Sequence, residues 1–198
     1  MFTTNIEALP LNLQAFARLA AGPVTTHGQT FLATYIGEFI PYLVLGLFGI
    51  AWLAGHEHRR RKVFIAVATA TLGLIINMLV AGAMPQLRPF EMGLGQNLLN
   101  HAPEASFPSD HATLVWSLGF GLIAAGGSVP LAAIVIGLGL AVAWARIYLG
   151  VHFPLDMIGS LVVAGASASV ARYGGNWLYV ATYRPIAQRL GSVLRSER

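Results

Sequence analysis

The chain has 198 residues, of which 56% are hydrophobic and 10% are charged, and its mean hydropathy is +0.65. Soluble domains carry about 25% charged residues, so the composition predicts an integral membrane protein, in a single domain at this length. The net charge of +4 does not indicate a nucleic-acid partner, because the basic residues flank apolar segments, where they set topology and attract anionic lipid headgroups. The absence of cysteine excludes disulfides and thiol catalysis.

Residues 1–22 are too polar to span a bilayer. From Leu11 onward, apolar residues recur with roughly helical periodicity, and Gly22 with Pro23 ends the pattern. We predict an amphipathic helix that lies in the membrane interface. The segment lacks the basic start and the cleavage site of a secretory signal, so the spans themselves are expected to drive insertion.

Five apolar segments are predicted to cross the membrane as helices. They comprise residues 31–54, 63–84, 112–127, 130–145 and 155–171. The third and fourth measure about 24 Å at ~1.5 Å per residue, so flanking residues must extend them. Residues 85–110 form the longest loop, and residues 172–198 are predicted to be an interfacial, basic cytoplasmic tail. The expected fold is an all-α membrane bundle.

The basic run His56–Lys62 predicts which way the bundle faces. If this run is cytoplasmic, the second span delivers the long loop to the outer face, and the third and fourth spans form a hairpin that returns to it. We therefore expect the polar residues of these loops on the periplasmic or outer side of a bacterial cytoplasmic (inner) membrane. They are Arg88, His111, Arg146, His152 and Asp156.

The chain contains only two aspartates, and both lie close to histidines. Asp156 follows His152 by four residues, with Pro154 between them at a position typical of a helix start. The carboxylate can therefore accept a hydrogen bond from one ring nitrogen, which leaves the other nitrogen as a nucleophile. Arg146 is six residues upstream of the histidine, an extended reach of at most ~20 Å, so it can fold over the same point.

The second aspartate, Asp110, lies where the third span begins. Ser109 is a favourable N-cap, and the backbone amides that follow it form an anion site with the helix dipole. His111 can donate a proton to a leaving oxygen there, and Arg88 adds a planar guanidinium that suits phosphate oxygens. Together these groups predict phosphoryl transfer through a phosphohistidine, with electrostatic stabilisation and neither a metal nor another cofactor.

These segments resemble the three-part signature of the type 2 phosphatidic acid phosphatase (lipid phosphate phosphatase) superfamily. That signature reads Lys-x6-Arg-Pro, Pro-Ser-Gly-His and Ser-Arg-x5-His-x3-Asp. It corresponds here to Arg88 with Pro89, to Pro108–His111 and to Ala145–Asp156, within a resemblance that covers roughly residues 60–172. The wording of the second and third segments is most similar to the bacterial undecaprenyl-diphosphatase branch, the bacitracin-resistance type.

Three positions depart from the signature. Ala81 stands at the lysine, Asp110 at the glycine of the second segment and Ala145 at the serine of the third. One phosphate ligand is therefore missing or replaced. Gln86, or Glu91 acting with other groups, is a candidate replacement.

The resemblance implies a helical membrane bundle with its site at the outer membrane face. Three catalytic roles are implied, namely nucleophile for His152, orientation of that nucleophile for Asp156 and general acid for His111. The implied substrate ligands are Arg88, Ser109 and Arg146, with Asp110 as a further candidate. The implied reaction converts undecaprenyl diphosphate, or another lipid phosphate held in the bilayer, to undecaprenyl phosphate and phosphate.

Three polar residues inside or beside spans carry separate expectations. Glu38 is costly within an apolar span, so it is expected to hydrogen-bond an arginine of the site or the substrate, or else to make a helix-packing contact. Asn77 is expected to form an interhelical hydrogen bond. Tyr148 is interpreted as interfacial packing or a phosphate contact.

Simpler interpretations stay open for several of these residues. His152 and Asp156 could be a capping pair at a helix start, and Arg88 could be a snorkelling interfacial residue. His111, His152 and Asp156 could instead hold zinc, although two nearby arginines would repel a dication. His101 is interpreted as a loop residue or a headgroup contact.

The activity has alternatives as well. The same site would serve phosphatidylglycerophosphate, phosphatidic acid or a lipid A phosphate, and it could pass the phosphoryl group to another lipid instead of water. A transporter or structural bundle with arginines along an anion path is the non-enzymatic alternative. The oligomeric state is left open.

Overall fold

The computed structural model describes residues 8–188, which form helices and connecting loops without a β-strand. The helices are α1 (Pro10–Leu19), α2 (His27–Leu53), α3 (Glu57–Ala83), α4 (Asp110–Ala124), α5 (Val129–Tyr148) and α6 (Pro154–Gln188). The long loop contains a short 3-10 turn, Pro89–Met92, and α2 and α6 each include one π-helical turn, Tyr35–Phe39 and Tyr179–Tyr183. Residues 1–7 of the predicted N-terminal helix and 189–198 of the predicted tail lie outside the described residues.

Four of these helices, α2, α3, α5 and α6, are long and apolar enough to cross a membrane. The remaining predicted span, α4, has 15 residues and measures about 22 Å, which is less than the ~30 Å of a hydrocarbon core. Nine residues of α4 are buried, and it packs against α3, α5 and α6. That α4 also crosses the membrane, and that α1 lies in the interface, remain predictions.

The helix ends differ from the predicted spans where the sequence is polar. The basic residues after His56 form the first turns of α3 instead of a loop, and residues 172–188 continue α6 instead of forming a separate tail. Both differences have one cause, because arginine and lysine end an apolar run without ending a helix. Arg60 shows what they do instead: its Nε and Nη2 donate to the Trp52 and Leu53 carbonyls, 3.1 and 3.3 Å away, at the last turn of α2.

Small residues let the helices approach closely at the centre of the bundle. A Cβ atom at Gly139 of α5 would lie 2.4 Å from the Trp116 ring of α4. A Cβ at Gly121 of α4 would lie 2.8 Å from the Ala66 backbone of α3. Because lipid tails are as apolar as the helices, such close van der Waals packing is what holds a membrane bundle together.

Consecutive helices run in opposite directions, so their ends alternate between two ends of the bundle. One end gathers the C-termini of α3 and α5, the N-termini of α4 and α6 and the long loop. The helix α1 closes over this end, where the Asn12 side chain accepts from the Leu155 amide at 2.9 Å and Phe16 packs on Phe153. The start of α3 with its basic residues belongs to the opposite end, which agrees with the grouping expected from the order of the spans.

Candidate active site

His152 lies in the short loop between α5 and α6, and Asp156 lies in the first turn of α6. The carboxylate oxygen Oδ2 of Asp156 accepts from the Phe153 amide at 2.8 Å and lies 2.9 Å from Nδ1 of His152. Since a carboxylate only accepts, Nδ1 carries the proton in this pair, and Nε2 carries the lone pair. Both side chains are buried. The pair therefore forms as Pro154 predicted, and Asp156 caps the helix as well.

Ser106 is a member of this cluster that the sequence analysis did not assign. Its hydroxyl donates to Oδ2 of Asp156 at 2.5 Å and lies 3.4 Å from Nδ1 of His152. The Ser106 amide in turn donates to the Gln86 carbonyl at 2.9 Å, which fixes the serine within the long loop. Its position beside Ser109 was the available signal, but nothing in the spacing links it to a carboxylate 50 residues later.

Arg88 is buried beside the nucleophile and fixed by backbone carbonyls. Its Nη1 donates to Val151 at 2.9 Å, its Nε to Glu104 at 3.0 Å and its Nη2 to Ala105 at 3.3 Å. The same Nη1 lies 3.2 Å from Nε2 of His152. A guanidinium held in this way is not the snorkelling surface residue of the simpler interpretation.

Two groups considered as replacements for the signature lysine have other contacts. Glu91 accepts from the Arg88 amide at 2.9 Å and so supports the backbone of the 3-10 turn. Gln86 is buried, and its side-chain amide lies 3.5 Å from the Met84 carbonyl. A phosphate contact from Gln86 remains a prediction.

Burial lowers the pKa values of His152 and Arg88, which both lie in loops. Burial, and then the positive charges of Arg146 and Arg88, hold the pKa of His152 well below its ordinary value. The imidazole is therefore neutral at neutral pH, which is the form a nucleophile needs. Burial also lowers the pKa of Arg88, against the nearby carboxylate of Asp156, which favours its charged form.

Arg146 and Glu38 form an ion pair between α5 and α2. The Nη1 of Arg146, in the last turn of α5, donates to Oε1 of Glu38 in the π-helical turn of α2. Arg146 is 1% exposed, and its Nε has no hydrogen-bond partner among the described residues. The two helices are closely packed here, because a Cβ atom at Gly37 would lie 3.3 Å from Cδ1 of Leu149 and 3.5 Å from Cδ of Arg146. This arginine contact is one of the alternatives expected for Glu38.

The same carboxylate faces His111. The distance from Nε2 of His111 to Oε2 of Glu38 is 3.6 Å, which is an ion-pair distance and too long for a hydrogen bond. The ring of His111 also meets the Tyr42 ring edge-on, with centroids 6.1 Å apart. Glu38 thus connects the predicted general acid with the predicted phosphate ligand Arg146.

Ser109 and Asp110, at the start of α4, differ in their hydrogen bonds. Ser109 stands at the N-cap position, but its side chain makes no capping hydrogen bond, so the expected cap is absent. The hydroxyl is buried without a partner among the described residues, and it is therefore available to another acceptor. Asp110 is exposed and accepts from Asn77 at 2.9 Å, and Asn77 also donates to Thr113 at 3.0 Å. The interhelical hydrogen bond expected of Asn77 is thereby confirmed, and Asp110 is engaged in it.

Two further predicted residues lie at the edge of the site. The Tyr148 ring packs on Trp144 with centroids 5.3 Å apart, as its packing interpretation expects. Asn97 holds the loop around His101 through two hydrogen bonds of 2.9 Å, and burial lowers the pKa of His101.

No set of three His, Cys, Asp or Glu side chains within residues 8–188 is arranged to hold a metal ion, so the zinc arrangement does not form there.

The arrangement is a neutral imidazole oriented by a carboxylate, flanked by two buried guanidiniums and a helix N-terminus. Residues 61–179 match the family described as the PAP2 superfamily, and the chain belongs to it. The resemblance drawn from the three sequence segments is confirmed.

Several bacterial proteins are similar in sequence to this chain. YbjG of Escherichia coli (strain K12), whose name assigns it provisionally to the undecaprenyl-diphosphatases, is 35% identical over 77% of this chain and 76% of its own length. Undecaprenyl-diphosphatase BcrC of Bacillus subtilis (strain 168) is 35% identical over 57% of this chain and 58% of its own. The decaprenylphosphoryl-5-phosphoribose phosphatase of Mycobacterium tuberculosis (strain H37Rv) is 31% identical over 72% and 77%.

A solved structure supports the fold. The crystal structure of LpxE from Aquifex aeolicus superposes with a TM-score of 0.70, covering 84% of this chain and 97% of the LpxE chain. The sequence identity is 20%, so this likeness bears on the fold alone.

Proposed function

We propose that this chain is a membrane lipid pyrophosphate phosphatase that removes the terminal phosphate of undecaprenyl diphosphate. The observation that carries the proposal is the neutral Nε2 of His152, with its lone pair facing a buried arginine and its Nδ1 proton held by Asp156. The names of the relatives supply the choice of lipid. The phosphoryl chemistry rests on the geometry and would hold for any lipid phosphate that reaches the site.

In the first step, Nε2 of His152 attacks the terminal phosphorus, and the bond from this phosphorus to the bridging oxygen breaks. His111 donates a proton to that oxygen, so undecaprenyl phosphate leaves and a phosphohistidine remains. Asp156 keeps the Nδ1 proton in place and stabilises the positive charge that develops on the ring. Ser106 holds the carboxylate in position, since its hydroxyl donates to the same oxygen.

In the second step, a water molecule attacks the phosphohistidine. His111, now neutral, accepts a proton from this water, and the bond from phosphorus to Nε2 breaks. Phosphate leaves, and both histidines return to their starting forms. The stabilisation required is electrostatic, so we propose that the reaction proceeds without a metal ion.

Two arginines and the start of α4 would stabilise the phosphoryl group. Arg88 already lies within 3.2 Å of Nε2, so a phosphate oxygen bound to this arginine would stand beside the nucleophile. Arg146 would exchange part of its contact with Glu38 for the phosphate. The unpartnered hydroxyl of Ser109 and the amides of the α4 N-terminus supply further donors.

The lipid tail would leave the site sideways into the bilayer. Met84 and Leu87, at the site end of α3 and in the following loop, are 45% and 49% exposed and provide an apolar surface there. We propose that this end faces the periplasm or outside of a bacterial cytoplasmic membrane, as the position of the basic residues at the other end favours.

A substrate panel in detergent, with EDTA present, tests this proposal. Release of phosphate from undecaprenyl diphosphate should have the highest kcat/KM, ahead of phosphatidic acid, phosphatidylglycerophosphate and a lipid A phosphate. A decaprenylphosphoryl phosphoribose belongs in the panel, because the mycobacterial relative is named for such a lipid. A higher kcat/KM for one of these other lipids would mean that this lipid, and not undecaprenyl diphosphate, is the substrate. Labelled phosphate that appears in a lipid product would indicate a phosphotransferase.

A further inference from the structure

We infer that a lateral groove at the end of the bundle opposite the site binds one phospholipid with an anionic headgroup. The groove lies between α2, α3 and α5 and has a volume of about 540 Å³. This volume is within the range of roughly 300–1,000 Å³ that small-molecule sites occupy. The binding site is separate from the proposed active site and does not depend on the proposed function.

The walls of the groove are apolar and have the length of one leaflet. Val44, Leu47 and Phe48 of α2 face Leu131, Ile134 and Leu138 of α5 across it. From Ser128 to Leu138 the groove follows α5 for ten residues, which is about 15 Å at ~1.5 Å per residue. This is half of the ~30 Å hydrocarbon core, so the groove fits an acyl chain from the adjacent leaflet alone.

The mouth of the groove carries unneutralised positive charge. His58, Arg59 and Lys62 line it, on the first turns of α3. Arg59 and Lys62 form no hydrogen bond or ion pair with any described residue. The two arginines between them are engaged elsewhere, since Arg60 donates to the end of α2 and Arg61 donates to Asn176 of α6.

This division of the basic run decides the chemistry of the ligand. The cations that support the fold point away from the groove, and the cations without a partner point to its mouth. The N-terminus of α5 also lies at the mouth of the groove, because Ser128 and Leu131 line it, and its helix dipole adds positive potential there. The Leu131 amide donates only weakly to the Ser128 hydroxyl, at 3.5 Å. A phosphate that sits over Arg59 and Lys62, with its acyl chain in the groove, satisfies both halves of the surface.

The substrate's own tail is a less suitable occupant. The groove ends at Leu138, eight residues or about 12 Å before Arg146. Val142, between these two residues, is fully buried, so packed side chains separate the groove from the proposed site. A tail from the site would have to leave the protein surface before it could reach the groove.

The test is competitive lipid binding by native mass spectrometry. The purified full chain is released from micelles that contain equal amounts of phosphatidylglycerol and phosphatidylcholine with the same acyl chains. We expect the wild-type chain to retain one phosphatidylglycerol with a preference of roughly thirtyfold, as two cation contacts provide. The variant R59Q/K62Q should lose that preference, whereas Arg172→Gln, which removes an exposed cation of α6 that does not line the groove, should keep it.

A second pair of variants tests the groove itself. Ile134→Trp fills the groove and should remove the bound lipid, whereas Leu140→Trp on the same helix should not, because Leu140 is equally exposed at 61% but lies outside the groove. A thermal midpoint close to that of the wild-type chain, measured in the same detergent, shows that each variant is folded. Equal retention of both phospholipids by the wild-type chain would overturn the inference. So would a preference that survives R59Q/K62Q, or bound undecaprenyl phosphate in place of the phospholipid.

Discussion

One carboxylate oxygen of Asp156 lies 2.9 Å from Nδ1 of His152, and it also accepts from the Phe153 amide and the Ser106 hydroxyl. The start of α6 and the long loop therefore both fix the orientation of this carboxylate, and through it the tautomer of the histidine. Because Nδ1 holds the proton, Nε2 is the atom that can attack phosphorus. The position of the nucleophile therefore depends on two segments that are far apart in the chain.

Changing Asp156 to Asn tests the orienting role. The amide has nearly the same shape, but it cannot stabilise the imidazolium that develops when Nε2 is phosphorylated. We expect kcat to fall by roughly 10²- to 10⁴-fold with little change in KM, because the arginines still bind the phosphate. Steady-state phosphate release measures both constants. A variant within twofold of wild type would remove Asp156 from the mechanism.

Ser106→Ala tests the residue that the structure adds to the cluster. A hydrogen bond to a charged group is worth about 1.5–3 kcal/mol, so we expect kcat to fall by roughly 10- to 100-fold if the bond acts fully in the transition state. Ser169→Ala is the matched control. It removes a hydroxyl that donates to the Gly165 carbonyl of its own helix and not to a residue of the site. Ser106→Thr should rescue part of the loss, since it keeps the hydroxyl. Equal effects of the Ser106→Ala and Ser169→Ala changes would mean that Ser106 does not position the carboxylate.

Glu38→Gln tests the ion pair that connects α2 with the site. A carboxylate beside Arg146 competes with phosphate for the guanidinium, so its neutralisation should lower the inhibition constant of inorganic phosphate by roughly tenfold, or ~1.4 kcal/mol. The same change should lower the midpoint of thermal unfolding, because the buried Arg146 loses its counter-charge. Glu57→Gln, at the opposite end of the bundle, should leave the inhibition constant unchanged. Weaker phosphate inhibition in Glu38→Gln would show that Glu38 assists phosphate binding instead.

The acid limb of the pH profile follows from the lowered pKa of His152. A lowered pKa means that the neutral, nucleophilic form persists to a lower pH than in a free histidine, whose pKa is about 6.5. The rate of phosphoenzyme formation, measured by rapid quench, should therefore remain on its plateau at pH 6.5 and decrease only below it. In the unfolded chain the same histidine binds its proton near pH 6.5, so its contribution to stability is also lost as pH falls below that value. A midpoint above pH 6.5 would contradict the burial of a neutral imidazole.

Gly150→Ala tests how the loop before His152 is built. Gly150 has a φ of +76°, and a Cβ atom there would lie 2.0 Å from the Gln96 carbonyl, so alanine requires the loop to move. We expect loss of activity together with a lower thermal midpoint. Gly137→Ala is the control in the preceding helix, because a Cβ there meets nothing within 4 Å. That change should keep activity and stabilise the helix by up to ~1 kcal/mol.

The sequence predicted those parts of the site that depend on local rules. Pro154 indicated a helix start, and from it the pairing of His152 with Asp156 followed. The order of apolar segments and the basic run predicted that Arg88, His111 and Arg146 would meet at one end of the bundle. These arguments need only the direction of the helices and the spacing of residues, and for that reason they agree with the folded structure.

Contacts between distant segments could not be predicted in this way. Nothing in the sequence indicates that the Ser106 hydroxyl reaches Asp156, or that Asn12 of α1 accepts from the start of α6, because each contact depends on how a loop or helix closes over the bundle. The free-energy cost of a carboxylate in an apolar span indicates that Glu38 has a role. Its simultaneous contact with Arg146 and His111 is visible only in the structure. The helix ends were also missed where charged residues continue a helix.

A phosphoenzyme trap tests the central claim most directly. The chain is mixed with undecaprenyl diphosphate labelled in its terminal phosphate, with EDTA present, and quenched within milliseconds in alkali. We predict label on the wild-type protein that is stable in alkali and lost in acid, as a phosphoramidate is, and no label on His152→Ala. Label retained by His152→Ala, or phosphate release by the wild-type chain without any labelled protein, would contradict the assignment of His152 as the nucleophile.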